Sequence, residues 1–155
     1  MKNLILFFFL FFFFSNIAHS DEFIALKGIK ELGLQVEQID RACNVDHTDV
    51  DRNIRYILSN SKINVSNENQ IQIYVYPIIA EDPNGTYCAA SLVFQVYGLV
   101  EATLIRGNPL EGPFPLYERF YVVGNNPADF ADYYLKYIED VTKQFIADWS
   151  TVNSN

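Results

Sequence analysis

Between Tyr87 and Ile105 every second residue is apolar or small: Cys88, Ala90, Leu92, Phe94, Val96, Gly98, Val100, Ala102 and Leu104. Side chains alternate across a strand with a period of two, whereas a helix repeats every 3.6 residues or so, and this run predicts one long strand with its even positions turned to a core. Its length exceeds the usual span of about five or six residues, so a bend or bulge is expected near Gly98. Such a strand needs partners along its edges and a layer over its even face.

The rest of the chain supplies both. Ile29 to Asp40 alternates around Leu32, Leu34 and Val36 and predicts a first strand, preceded by a lead-in helix or turn over Asp21 to Lys30. Thr48 is the expected cap of a helix over about 48–60, with Asp51 three residues on and Val50, Ile54, Ile57 and Leu58 at helical spacing. Ile63 and Val65 predict a short second strand. Ile71, Ile73 and Val75 predict a third, with Tyr74 and Tyr76 on its other side, ended by Pro77 and the turn Asp82-Pro83-Asn84-Gly85. Gly107 to Pro115 is turn-rich, and 116–123 reads as a fifth strand. Asn126 caps and Pro127 opens a last helix in which Phe130, Tyr134, Tyr137, Ile138, Val141, Phe145 and Trp149 share one face. The order β-α-β-β-β-β-α predicts an α+β two-layer sandwich. In it a mainly antiparallel five-stranded sheet, with one parallel crossover from the first strand to the second, carries two helices on one face.

Residues 1–20 read as an export signal and 21–155 as a single domain. Met1-Lys2-Asn3 is a positive start, Leu4 to Phe14 is unbroken apolar sequence, and Ala18-His19-Ser20 places small residues before a cut at Asp21. The apolar run is shorter than the ~20 residues a spanning helix needs, so no membrane span is expected after cleavage. The leader holds one Lys and no acid, and its loss takes the formal charge from −8 to −9. Phosphate would be repelled, which argues against a nucleic-acid partner even though Tyr-bearing sheets occur in RNA-binding platforms. A periplasmic or secreted location is expected. In an oxidising compartment Cys43 and Cys88, the only two cysteines, most simply form a disulfide. The alternative is a reactive thiol paired with His47, which would need 43–47 to be helical.

Little else in the chain carries chemistry. Asp49, Asp51 and Asn53 start a calcium-loop pattern that fails at Ile54 and Asn60, where Gly and Glu are needed, so no metal is expected. No nucleophile elbow, phosphate loop, dinucleotide turn or zinc-protease helix is present, and no cofactor is expected. The more informative feature is the sheet face that two helices cannot cover. If the even positions of the fourth strand face the core, the other face collects Gln95 and Tyr97, with Tyr74 and Tyr76 beside them and Tyr117, Arg119 and Tyr121 from the fifth strand. Tyrosine joins a rigid apolar ring to a polar tip and is enriched at interfaces. This face is expected to bind a protein partner, to pair two copies in a homodimer, or to stack on a sugar or planar ligand. The alternative is a small extracytoplasmic enzyme or enzyme accessory using acidic residues near the 107–119 loop. Asn64-Val65-Ser66 and Asn84-Gly85-Thr86 also match glycosylation acceptors.

The stretch Gly28-Ile29-Lys30-Glu31-Leu32-Gly33-Leu34-Gln35-Val36-Glu37, then Ala42-Cys43, then Asp49-Val50-Asp51 leading into Ile54-Arg55 and Ile57-Leu58, resembles small exported bacterial proteins of uncharacterised function. In element order the chain is similar to the amino-terminal domain of the periplasmic translocation protein TolB. The resemblance implies an exported, non-enzymatic domain and brings no site residues with it.

Overall fold

The computed structural model describes residues 23–39, 43–66, 69–103 and 109–154. The expected leader and the cut site at Asp21 lie outside the described residues, as does part of the turn-rich stretch after Gly107. In chain order come a 3₁₀ turn at Ile24–Leu26, β1 (Glu31–Val36), α1 (His47–Ser59), β2 (Asn64–Ser66), β3 (Ile71–Glu81), β4 (Cys88–Thr103), β5 (Pro109–Asn125) and α2 (Pro127–Asn153).

The fold is α+β, with the five strands in one open sheet in the order β2-β1-β3-β4-β5. Both β2 and β3 pair with β1 in parallel, and β3, β4 and β5 form an antiparallel meander. The sheet is therefore mixed rather than mainly antiparallel. The difference arises because β1 inserts between β2 and β3 instead of leaving them as a hairpin, which adds a second parallel pair.

The even residues Cys88, Ala90, Leu92, Phe94 and Val96 of β4 are buried, as their periodicity predicts, and meet Leu32 and Leu34 of β1 and Ile73 and Val75 of β3. Both helices close over this face, α1 through Val50, Ile54 and Leu58, and α2 through Phe130, Tyr134, Ile138 and Phe145. The caps explain where the helices start. Asn126 Oδ1 accepts the Asp129 amide at 3.1 Å and Pro127 stands in the first turn, as expected for α2. The cap of α1 is Asp46 rather than Thr48: its carboxylate accepts the Thr48 amide at 2.8 Å, and the helix begins one residue before the expected cap.

The disulfide joins Cys43 to Cys88 with their Cα atoms 6.1 Å apart, tying the β1–α1 connection to the start of β4. Cys43 and Asn44 hold left-handed backbone, with φ of 57° and 59°. The 43–47 segment is thus not helical, and the sulfur is already engaged, so no Cys43–His47 pair exists.

Two strands run further than the sequence predicts. β3 continues through Pro77 to Glu81, because β1 pairs only as far as Val36 beside Val75 and leaves Pro77 where a missing N–H breaks no ladder on that side. β5 begins at Pro109, within the turn-rich residues rather than after them, and its prolines at 109, 113 and 115 sit on the outer strand of the sheet, where proline is tolerated and discourages pairing with another chain.

Candidate functional site

The face of the sheet away from the helices is set by register. Gln35 of β1 stands beside Tyr74 of β3, Tyr74 faces Gln95 of β4, and Gln95 faces Glu118 of β5. One step along the strands, Tyr76, Val93 and Phe120 form the next row, and Ile78, Ser91 and Val122 the one after. In the other direction Gln72, Tyr97 and Pro115 stand together.

Tyr74, Tyr76, Gln95 and Tyr97 therefore do share this open face. The Tyr74 and Tyr76 rings are nearly parallel at 6.3 Å, and Tyr97 meets Tyr74 edge-on at 6.2 Å. Their polar tips are tied down. The Tyr74 hydroxyl donates to Glu37 Oε2 at 3.0 Å, the Tyr97 hydroxyl to Gln72 Oε1 at 3.2 Å, and Gln95 Nε2 to Glu118 Oε2 at 2.7 Å. Partial burial, reinforced by the Glu37 carboxylate, raises the Tyr74 phenol above its ordinary pKa. Gly33 permits this arrangement, since a Cβ there would lie 3.0 Å from the Gln72 side chain. Gln35, Tyr74, Gln95, Tyr97, Pro113 and Pro115 line an open depression of about 420 Å³.

Tyr117, Arg119 and Tyr121 were expected on the same face and lie on the other. Tyr117 is buried and donates to Asp148 of α2, the Arg119 guanidinium stands 3.7 Å from the same carboxylate, and the Tyr121 ring meets Tyr137 of α2 edge-on at 5.5 Å. The cause is a β-bulge. From Thr103↔Pro109 to Tyr97↔Pro115 the hairpin keeps one register, but the next pair is Val96↔Tyr117, so Leu116 is an extra residue. One inserted residue exchanges the faces of everything beyond it. Continued without the insertion, the register would have set Tyr117 against Gln95 on the open face. Gly98 accommodates the insertion, because the Leu116 side chain comes within 3.3 Å of the place its Cβ would take.

In exchange, the bulge brings Phe120 and Val122 to the open face. They are 62% and 69% exposed, beside Ile78 at 52% and Tyr76 at 39%. The sequence reading missed these residues, because β5 is apolar on both parities and offers no alternation to decide between them.

Of the acids near 107–119, the described side chains stand apart. Glu118 is on the open face with its carboxylate bound to Gln95, Asp148 is on the helix side, and the Glu111 side chain lies outside the described part. A smaller depression of about 280 Å³ lies by Phe23, Leu116 and Arg119, where the guanidinium covers the Phe23 and Tyr117 rings at 5.4 and 4.9 Å. Among the described residues, no group of three His, Cys, Asp or Glu is placed to hold a metal, and no helix is long and apolar enough to cross a membrane. No protein-family model and no curated protein matches the chain.

Proposed function

We propose that this chain is an exported binding module that takes a protein partner on the open face of its sheet. The carrying observation is the patch made by Tyr76 and Ile78 of β3 and Phe120 and Val122 of β5, all at least 39% exposed, on either side of Val93 and Ser91 of β4. Scattered apolar residues are ordinary on a surface, but a contiguous patch bordered by polar groups marks a contact site. The underlying sheet is rigid, pinned by the disulfide at the β4 end and by the core beneath, so a partner would meet a surface that needs little ordering on binding. The export pattern of residues 1–20 and the disulfide support a periplasmic or secreted setting.

The test is site-specific photo-crosslinking in the compartment where the protein accumulates. A benzophenone side chain at Phe120 is expected to give a discrete protein adduct. The same group at Tyr56, which is 71% exposed on α1, is expected to give none. Equal labelling from both positions, or none from Phe120, would remove the open face as the contact surface.

A further inference from the structure

We infer that the open face receives an extended cationic peptide segment, with a Lys or Arg seated in the depression between Tyr74 and Tyr97 and an apolar side chain resting on Phe120 and Val122. This rests on the proposed use of that face and adds the chemistry of the occupant. Among the described side chains, three acids border the face: Glu31 on β1, Glu37 just beyond it and Glu118 on β5. Among the described side chains of the face there is no Lys or Arg, since Arg119 is turned to α2 by the bulge.

Two tyrosine rings set at 70° to each other form walls over which an ammonium or guanidinium is attracted by the ring quadrupole. Glu37 and Glu118 stand on either side, each accepting one hydrogen bond from a residue of the depression wall. An ionised carboxylate has acceptor sites to spare after one such bond. The same charges oppose pairing of two copies through this face, because a symmetric contact would set acid against acid.

The spacing of the ligand follows from the strands. Tyr74 and Ile78 are four residues apart on β3, a rise of ~13 Å, so a cation and an apolar side chain about four residues apart on an extended segment would reach the depression and the patch together.

The experiment is NMR titration of the purified exported protein with three uncharged-background Gly/Ser peptides. One carries Arg about four residues from Leu, the second has Glu in place of Arg, and the third has Ser in place of Leu. The Arg/Leu peptide is expected to shift the amides of Tyr74, Gln95, Tyr97 and Phe120, and to lose affinity with added salt. The Glu peptide is expected not to bind. Glu37→Gln with Glu118→Gln, which keeps both hydrogen-bond acceptors, is expected to weaken the Arg/Leu peptide about tenfold. Equal binding of the Glu peptide, shifts confined to the helical layer, or no binding by the Arg/Leu peptide would each overturn the inference. A Phe120 crosslink to a second copy of the chain would overturn it too. A Phe120 adduct to another protein with a failed Arg/Leu titration would leave the surface standing and remove only its charge preference.

Discussion

The Tyr117 hydroxyl donates a 2.9 Å hydrogen bond to Asp148 Oδ2, joining the middle of β5 to the last turns of α2 with both side chains buried. Asp148 also accepts from Gln144 Nε2 at 2.8 Å and has the Arg119 guanidinium 3.7 Å away, so its charge is compensated on several sides. Tyr117→Phe removes one donor and leaves a buried carboxylate short of a partner. It is expected to cost about 1.5–3 kcal/mol, read as a lower urea midpoint with unchanged slope. An unchanged midpoint would mean that Arg119 or water takes over the bond.

Tyr134 presents the opposite case. Its ring is fully buried against Phe130, and its hydroxyl finds no hydrogen-bond partner among the described residues. A buried hydroxyl without a partner carries its desolvation cost unrelieved. Tyr134→Phe is therefore expected to stabilise the fold by about 1 kcal/mol. A loss of stability in the same denaturation experiment would reveal a partner for this hydroxyl.

Both phenols bear on the response to alkali. Burial pushes Tyr117 and Tyr134 well above the ordinary tyrosine value of 10.0, with the Asp148 carboxylate adding to the rise at Tyr117. Below that pH each is neutral in the folded and unfolded states alike and contributes no slope. Above it the unfolded chain releases protons that the folded chain retains, so stability falls as pH rises, by about 1.4 kcal/mol per pH unit for each buried phenol. Urea midpoints from about pH 9 to about pH 11 should show this loss, and Tyr134→Phe should reduce it.

The disulfide closes a separation of 45 residues. In the chain-entropy account a loop of that length is worth about 4 kcal/mol, a large part of a small domain's stability. Cys43→Ala with Cys88→Ala is expected to lower the urea midpoint accordingly while leaving the open-face residues unmoved. Proton shifts of Tyr74 and Tyr97 that changed along with stability would show that the bond also shapes the open face.

Much of this architecture is legible in the sequence because periodicity reports burial directly. The even residues of β4 from Cys88 to Val96 and the helical stripe from Phe130 to Trp149 turn to one side, and one-sided burial is what a repeat records. The two cysteines are legible for a different reason, since a lone even pair behind an export-like leader pattern has few other uses. The candidate site is only half legible. Tyr74, Tyr76, Gln95 and Tyr97 lie on the strands whose alternation is clean, whereas β5 has apolar residues on both parities, Tyr117, Tyr121 and Val123 against Phe120 and Val122. No pattern within β5 tells which set faces the core, and the bulge that decides it is a property of the pairing with β4. The cap of α1 is ambiguous in the same local way, because Asp46 and Thr48 are both good caps and only geometry chooses.

That bulge is itself testable by deleting Leu116. Without the extra residue the hairpin register running through Tyr97↔Pro115 would continue down β5, turning Tyr117, Arg119, Tyr121 and Val123 outward and Phe120 and Val122 toward the helices. The Tyr117–Asp148 bond and the Tyr121–Tyr137 ring contact would both be lost, and Glu118 would be carried into the core face. Burying an unpaired carboxylate while exposing core aromatics exceeds what a domain of this size can absorb. The Leu116 deletion is expected to lack a cooperative unfolding transition, whereas Leu116→Ala, which keeps the residue count, should unfold cooperatively. A deletion variant with wild-type stability would mean that the strands re-form the bulge elsewhere, and that Leu116 is not what sets which side of β5 faces away from the helices.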